Sequence, residues 1–177
     1  MTSVPTKHVM PAETAAGLLD ALETAGVEVC VGGGWAVDAL LHEQTRDHSD
    51  LDVWLPAAHL ELLIPVLVGM GVDRLLPVPG DRPWNFVVHD GDSRRVDLHL
   101  YEVLTDGDLH YGSLTGGHRI PAPALSGRGV IAGRSVRSET PQWALSCHTG
   151  YPPRPVDHHD VLLLCTRFGL ELPEAYR

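Results

Sequence analysis

The sequence predicts an α/β (α+β) domain: a short mixed β-sheet with flanking helices, followed by a C-terminal helical segment. Three observations lead there. Short apolar runs alternate with stretches of helical periodicity, two pairs of strand-like runs are joined by glycine turns, and the pattern turns helical from Thr140 onward. The 177 residues fit one compact domain over residues 1–138 with a helical piece over 139–177.

The elements follow in chain order. After Pro11, Ala15, Leu18, Leu19 and Leu22 fall at helical spacing, and Gly26 ends that helix. VEVCV is a short buried strand that runs into Gly32-Gly33-Gly34 and then a helix, WAVDALLHE. DLDVWL, residues 50–55, is β-branched and apolar enough for a strand. AAHLELLIPVLVGMG is a helix with a disturbance expected at Pro65. VDRLLPV reads as a short strand, and NFVVHD and RRVDLHLYEV form a hairpin around Gly91-Asp92-Ser93. Residues 105–127, rich in Gly and Pro, are expected to form a long surface loop, and GVIAGRSVRS a hairpin around Gly133. PQWALSCHTG and VDHHDVLLLCTRFG are the closing helices.

Charge narrows the partners. Asp and Glu outnumber Lys and Arg by 23 to 13, a net charge of −10. Such a surface repels phosphate backbones, so no nucleic-acid partner is expected, while metal ions and small amines are favoured. Three cysteines without a C-x-x-C pair argue against a disulfide framework or a cysteine zinc site, and Cys30 and Cys165 read as small buried hydrophobes. The N-terminus lacks a signal-peptide apolar run and no segment is long enough to span a bilayer, so no membrane partner is expected and the cytoplasm is the expected address.

The chemistry concentrates in GGGWAVDALLHEQTRDHSDLDVWL. On a strand, Asp50 and Asp52 face the same way, roughly 6.5–7 Å apart, while Leu51, Val53 and Leu55 face the core. Two adjacent carboxylates repel each other, and a divalent cation removes that cost; oxygen-only ligands suit Mg2+, or Mn2+, over zinc. Asp97, in RRVDLHLY, lies mid-strand between Val96 and Leu98 and supplies a third carboxylate if its strand neighbours the first. Two ions held by Asp50, Asp52 and Asp97 would then suit an in-line phosphoryl displacement. Gly33 and Gly34, ending a strand and opening a helix, offer backbone N–H groups to a triphosphate. Arg46 is a lone cation beside two acids, a candidate phosphate partner. His48 reads equally as a group orienting a carboxylate and as a strand-entry residue. His99 shares a face with Asp97 and reads first as a structural histidine, while Trp35 and Asp38 read as packing or capping residues. Glu102, Asp106 and Asp108 read as a solvated acidic stretch, with substrate-amine recognition as the alternative.

A double glycine, D-x-D on a strand and a later single Asp resemble the DNA polymerase β-like nucleotidyltransferase superfamily. GGGWAVDALL followed by TRDHSDLDV is similar to its antibiotic-modifying branch, the LinA-type lincosamide nucleotidyltransferases and the aminoglycoside 2''-nucleotidyltransferases. GRGVIAGRSVRSETPQWAL resembles the aminoglycoside enzymes and CHTGYPPRPVDHHDV the lincosamide ones, so the likeness runs from about residue 10 to 170. Residues 102–127 match neither clearly. The resemblance implies Mg2+-dependent transfer of a nucleoside monophosphate from ATP or another NTP to a hydroxyl of a small cationic acceptor, releasing pyrophosphate. It assigns the metals to Asp50 and Asp52 and makes Asp97 a metal ligand or the general base. Gly33 and Gly34 fall on its phosphate-binding glycines, and Arg46 and His48 on its R-x-H pair. A homodimer is compatible with it.

Three alternatives remain at this level: a nucleotidyltransferase acting on tRNA or protein, a non-catalytic nucleotide-binding protein, and a helical metal phosphohydrolase built on His148, His158, His159 and their neighbouring acids. The last is disfavoured because its groups are compressed into one stretch; Asp157 and Asp160 read instead as capping or orienting the last helix.

Overall fold

A computed structural model describes residues 8–76 and 82–177. Among these, five α-helices and nine strands are ordered along the chain as α1 (Ala12–Thr24), β1 (Cys30–Gly32), α2 (Gly33–Leu41), β2 (Leu51–Pro56), α3 (Leu60–Gly69), β3 (Arg74–Leu76), β4 (Asn85–His89), β5 (Arg95–Val103), β6 (Leu109–Tyr111), β7 (His118–Ile120), β8 (Gly127–Ile131), β9 (Arg134–Ser138), α4 (Pro141–Cys147) and α5 (Pro155–Phe168). Pro77 and Val78, expected at the end of the third strand, lie outside the described residues.

The sheet is mixed, in the order β3-β4-β5-β2-β1-β9-β8. Its centre is a parallel pair, β2 with β5, flanked by antiparallel β1 and β4, with β1 parallel to β9. The alternation of apolar residues follows directly: Leu51, Val53 and Leu55 on β2 and Val96 and Leu98 on β5 are fully buried against Leu18, Leu19 and Leu22 of α1 and Leu63 and Leu67 of α3. Burying each such side chain is worth about 1.5–3 kcal/mol, which fixes the register and sends the intervening residues to the opposite face.

On that opposite face Trp54, Tyr101, Leu109, Ile120 and Leu125 form a second cluster. It explains the main departure from the sequence reading. Residues 105–127 are not a structureless loop: β6 pairs with the end of β5, β7 pairs with β6, and a 3-10 turn covers Ala122–Leu125. Gly and Pro mark the turns between these strands, while Leu109, Ile120 and Leu125 have buried partners that only the fold supplies.

Pro65 does not interrupt α3, which runs unbroken over Leu60–Gly69. The β8–β9 turn places Ala132 (φ 48°) and Gly133 (φ 75°) in the left-handed region, as a tight hairpin requires. Cys30 is buried as expected, but Cys165 is only half-buried. No helix among the described residues is long and apolar enough to cross a membrane. The C-terminal helices pack on α2: Val37 and Leu40 cluster with Ala144 of α4 and Leu164 of α5. Thr140 caps α4 through its hydroxyl, which accepts from the Trp143 N–H at 3.3 Å. Asp157 closes a capping box with Arg154 at the start of α5.

Candidate active site

One cavity of about 450 Å3 lies between the sheet, the start of α2 and the two C-terminal helices, and Gly33, Gly34, Asp50, Asp52 and Asp97 all line it. The parallel pairing of β2 and β5 sets Asp52 directly opposite Asp97, and the β1–β2 pairing sets Gly32 opposite Asp52. Strand periodicity then brings Asp50, just before β2, to the same face.

The glycines are there because nothing larger fits. Gly33 adopts φ 59°, and a Cβ on it would collide with the Asp52 carboxylate. A Cβ on Gly34 would collide with the Arg46 guanidinium and would lie 2.7 Å from His48 Nδ1. The backbone of the α2 N-terminus thus closes directly onto the acidic residues, and its free N–H groups favour an anion there.

The electrostatics are those of an acidic cluster compensated only in part, by Arg95 at Asp50 and by His99 at Asp52 and Asp97. Burial raises the pKa of Asp50, the neighbouring Asp52 charge adds to it, and Arg95 offsets part of it from 3.8 Å. Burial likewise pushes Asp97 up to about 6, with the His99 charge opposing and Asp52 reinforcing. His99 Nε2 is 3.3 Å from Asp52 Oδ1 and 3.8 Å from Asp97 Oδ1. Burial disfavours a charge on that ring, but the Asp52 hydrogen bond and the two carboxylate fields prevail and raise its pKa. Asn85 Nδ2 donates to Asp97 Oδ1 at 2.6 Å, and Tyr111 Oη lies 3.0 Å from His99 Nδ1. Asp52, Asp97 and His99 converge closely enough to hold one ion. That group is two carboxylates and a ring nitrogen, with Asp50 lining the same cavity, and its carboxylate oxygens suit a hard divalent cation.

Arg46 and His48 are engaged within the protein. Arg46 forms a two-pronged pair with Asp160 of α5, Nε–Oδ1 at 2.9 Å and Nη2–Oδ2 at 2.7 Å, while still lining the cavity. This hydrogen bond raises the Arg46 pKa over the opposing effect of burial. His48 is buried; its Nε2 lies 2.5 Å from Asp38 Oδ2, and its ring packs on Trp35 at 4.2 Å. Its carboxylate partner is thus Asp38, held in turn by the Thr45 hydroxyl at 2.6 Å. Asp160 and Asp157 do orient the last helix, the latter held down to about 2 by Arg154 hydrogen bonds that outweigh burial. Asp106 and Asp108 are tied up by Arg119.

The phosphohydrolase arrangement is absent among the described residues. His159 Nε2 meets the Thr45 hydroxyl, while His148 meets the Ala144 carbonyl oxygen through Nδ1 and lies 3.7 Å from Asp160 Oδ2 through Nε2, a carboxylate already paired with Arg46; no three of these groups converge as ligands for an ion. Sequence reasoning undervalued His99, although its two-residue offset from Asp97 signals a shared face. It missed Asn85, Tyr111 and Glu139, which line or brace the site from separate elements and carry no local motif.

A family model described as Aminoglycoside-2''-adenylyltransferase matches residues 16–164. A 2''-aminoglycoside nucleotidyltransferase of Escherichia coli is 29% identical over 170 residues, covering 90% of this chain and 89% of that protein. A lincosamide resistance protein of Staphylococcus haemolyticus is 25% identical over 153 residues, covering 81% and 88%. The crystal structure of the lincosamide antibiotic adenylyltransferase LnuA with lincomycin bound superposes with a TM-score of 0.76 at 23% identity, covering 88% of this chain and 97% of that one, and shows the fold to be shared. With the family model spanning most of its length, the chain belongs to the aminoglycoside-2''-adenylyltransferase family of the polymerase β-like nucleotidyltransferases and is a nucleotidyltransferase.

Proposed function

We propose that this enzyme transfers a nucleoside monophosphate, AMP in the first instance, from an NTP to a hydroxyl of a small cationic acceptor of the aminoglycoside or lincosamide class, releasing pyrophosphate. The observation that carries the reading is the opposition of Asp52 and Asp97 across β2 and β5, beside the left-handed turn at Gly33. Family membership brings an NTP and a divalent metal to the reaction. The two curated relatives, named for aminoglycosides and lincosamides, supply the acceptor class.

In this reading Asp50, Asp52 and Asp97 would hold two Mg2+ ions, which would supply charge neutralisation for the phosphoryl displacement. Gly33 and Gly34 present N–H groups to the phosphates, and no Cβ stands between backbone and ligand. Arg46 adds a cation within reach of the triphosphate, at the expense of part of its pairing with Asp160. His99 donates to Asp52 and keeps that carboxylate oriented, while Tyr111 and Trp54 hold the ring. Asp97 would serve as a metal ligand or as the acceptor of the incoming hydroxyl's proton. Positioning and charge neutralisation supply most of the rate in such chemistry.

The test is a panel of aminoglycosides and lincosamides with each NTP and Mg2+, followed by pyrophosphate release and product mass. A gain of one nucleotide unit, absent with Asp52→Asn, is expected. Pyrophosphate release without an acceptor adduct, or no turnover with any pair, removes the reading.

A further inference from the structure

Glu139 is a buried carboxylate that the reaction described above leaves unused. It directly follows β9, and its N–H donates to the Val31 carbonyl oxygen at 3.1 Å, so the residue sits on the far side of β1 from Asp52. It is 1% exposed and lines the same cavity as the acidic residues. Its two oxygens differ. Oε1 accepts from the Trp54 indole N–H at 2.6 Å, with Cys147 Sγ at 3.9 Å. Oε2 is buried and has no hydrogen-bond partner among the described residues.

Among the described residues no side chain pairs directly with that charge; His99 and His148 oppose the rise in its pKa through their charges alone, while Asp52 adds to it. Both arginines lining the cavity are committed elsewhere, Arg46 to Asp160 and Arg154 to Asp157. Glu139 itself stands in no ion pair among the described residues. Burial accordingly pushes its carboxyl up to about 7, against the Trp54 hydrogen bond. A buried acid left half-satisfied costs stability, and natural interiors rarely retain one without a purpose. Its surroundings offer an indole, a thiol and a glycine, so there is no oxygen set for a metal. A donor arriving through the cavity is the remaining complement. A hydroxyl would satisfy one lone pair; an ammonium also balances the charge and draws the acid into its ionised form.

We propose that Glu139 is the counter-charge for an ammonium group of the acceptor, a specificity-determining residue that selects cationic hydroxyl compounds over neutral ones. The inference rests on the reading of the enzyme as a transferase to a small hydroxyl acceptor. It adds a stated residue and the chemical group that residue selects.

The experiment titrates wild type and Glu139→Gln calorimetrically with tobramycin and with N-acetylated tobramycin, in the presence of Mg2+ and a non-hydrolysable ATP analogue. Glutamine keeps a carbonyl oxygen for Trp54, so unchanged indole fluorescence and unchanged ATP-analogue affinity report an intact fold and nucleotide site. Wild type is expected to prefer tobramycin to its acetylated form by tenfold or more. Glu139→Gln is expected to lose that tenfold while binding the acetylated compound as before. Equal binding of tobramycin by the two proteins overturns the proposal. So does the absence of any preference in wild type, a result that needs no variant. Pyrophosphate release with ATP in parallel separates the two readings. Glu139-dependent amine binding without transfer leaves the counter-charge standing and removes the transferase reading. Transfer unaffected by the substitution does the reverse.

Discussion

Asp52 of β2 and Asp97 of β5 stand opposite one another in a parallel strand pair, 45 positions apart in the chain yet on one face of the sheet. Two carboxylates in that relation destabilise the fold unless something positive sits between them. Because the His99 ring already lies 3.3 Å from Asp52 and 3.8 Å from Asp97, replacing Asp52 by Asn is expected to change the melting temperature of the metal-free protein by less than about 2–4 °C, the shift that about 1 kcal/mol gives in a chain of this size. It should also abolish the stabilisation that Mg2+ gives wild type, and cut nucleotidyl transfer by at least about a thousandfold. Thermal unfolding with and without Mg2+ checks the first two, and a Mg2+-induced shift retained in Asp52→Asn counts against the metal assignment.

Gly33 is the second point of leverage. With φ 59° and the Asp52 carboxylate where a Cβ would go, Gly33→Ala must displace either the turn or the acid. The strain is about 1–2 kcal/mol, tolerable for the fold. Transfer should nevertheless fall by about a hundredfold, since a shift of about 1 Å suffices for that loss. A variant with wild-type turnover would show that the turn is not close to the reacting atoms.

The Arg46–Asp160 pair predicts an asymmetry. Asp160 is 1% exposed and Arg46 23%, so Arg46→Ala strands a buried charge whereas Asp160→Ala leaves an arginine able to reach water. Both changes should destabilise, by about 1–4 kcal/mol, and Arg46→Ala should cost more. The Asp160 pKa is held below the ordinary carboxylate range: burial opposes, but the Arg46 and His148 hydrogen bonds outweigh it. Its stabilising contribution is therefore present above the unfolded-state pKa and lost as pH falls through the folded one. Denaturant titrations of the two variants at neutral and acid pH test both statements.

Glu139 titrates in the opposite sense. Its folded-state pKa of about 7 lies above the ordinary 4.5, so the unfolded chain releases this proton first as pH rises. Stability is lost between those values and the loss is complete above the higher one. Each pKa unit is worth about 1.4 kcal/mol. The stability difference between Glu139→Gln and wild type should therefore shift in the variant's favour by roughly 2–3 kcal/mol between pH 5 and pH 8. Urea unfolding of both proteins at the two pH values measures it, and a pH-independent difference would mean that Glu139 is ionised throughout.

Much of this molecule can be read along the chain because its signals are local. The alternation in LDVWL and RVDLHL fixes both the strands and the face their acids occupy, since a slip of one residue would drive Leu51, Val53, Val96 and Leu98 into solvent. The triple glycine before WAVDALL announces a tight turn into a helix for a similar reason: conformational freedom is written in residue type. The strands at 109–111 and 118–120 could not be read this way. Three-residue strands carry too little period to stand out, and their apolar residues are bought into order only by Trp54 and Tyr101 across the sheet.

The sequence by itself determined the central strands and the helices, and that Asp52 and Asp97 project from two of those strands with Asp50 just ahead of the first. Only the tertiary structure decided that those strands are neighbours in register and that Arg46 reaches across 114 positions to Asp160. It also decided that Glu139 turns one oxygen to Trp54 and leaves the other without a partner. The physical reason is range. Backbone preference and side-chain period act over a few residues, whereas charge, burial and hydrogen bonding at a site depend on which distant segments the core packs together.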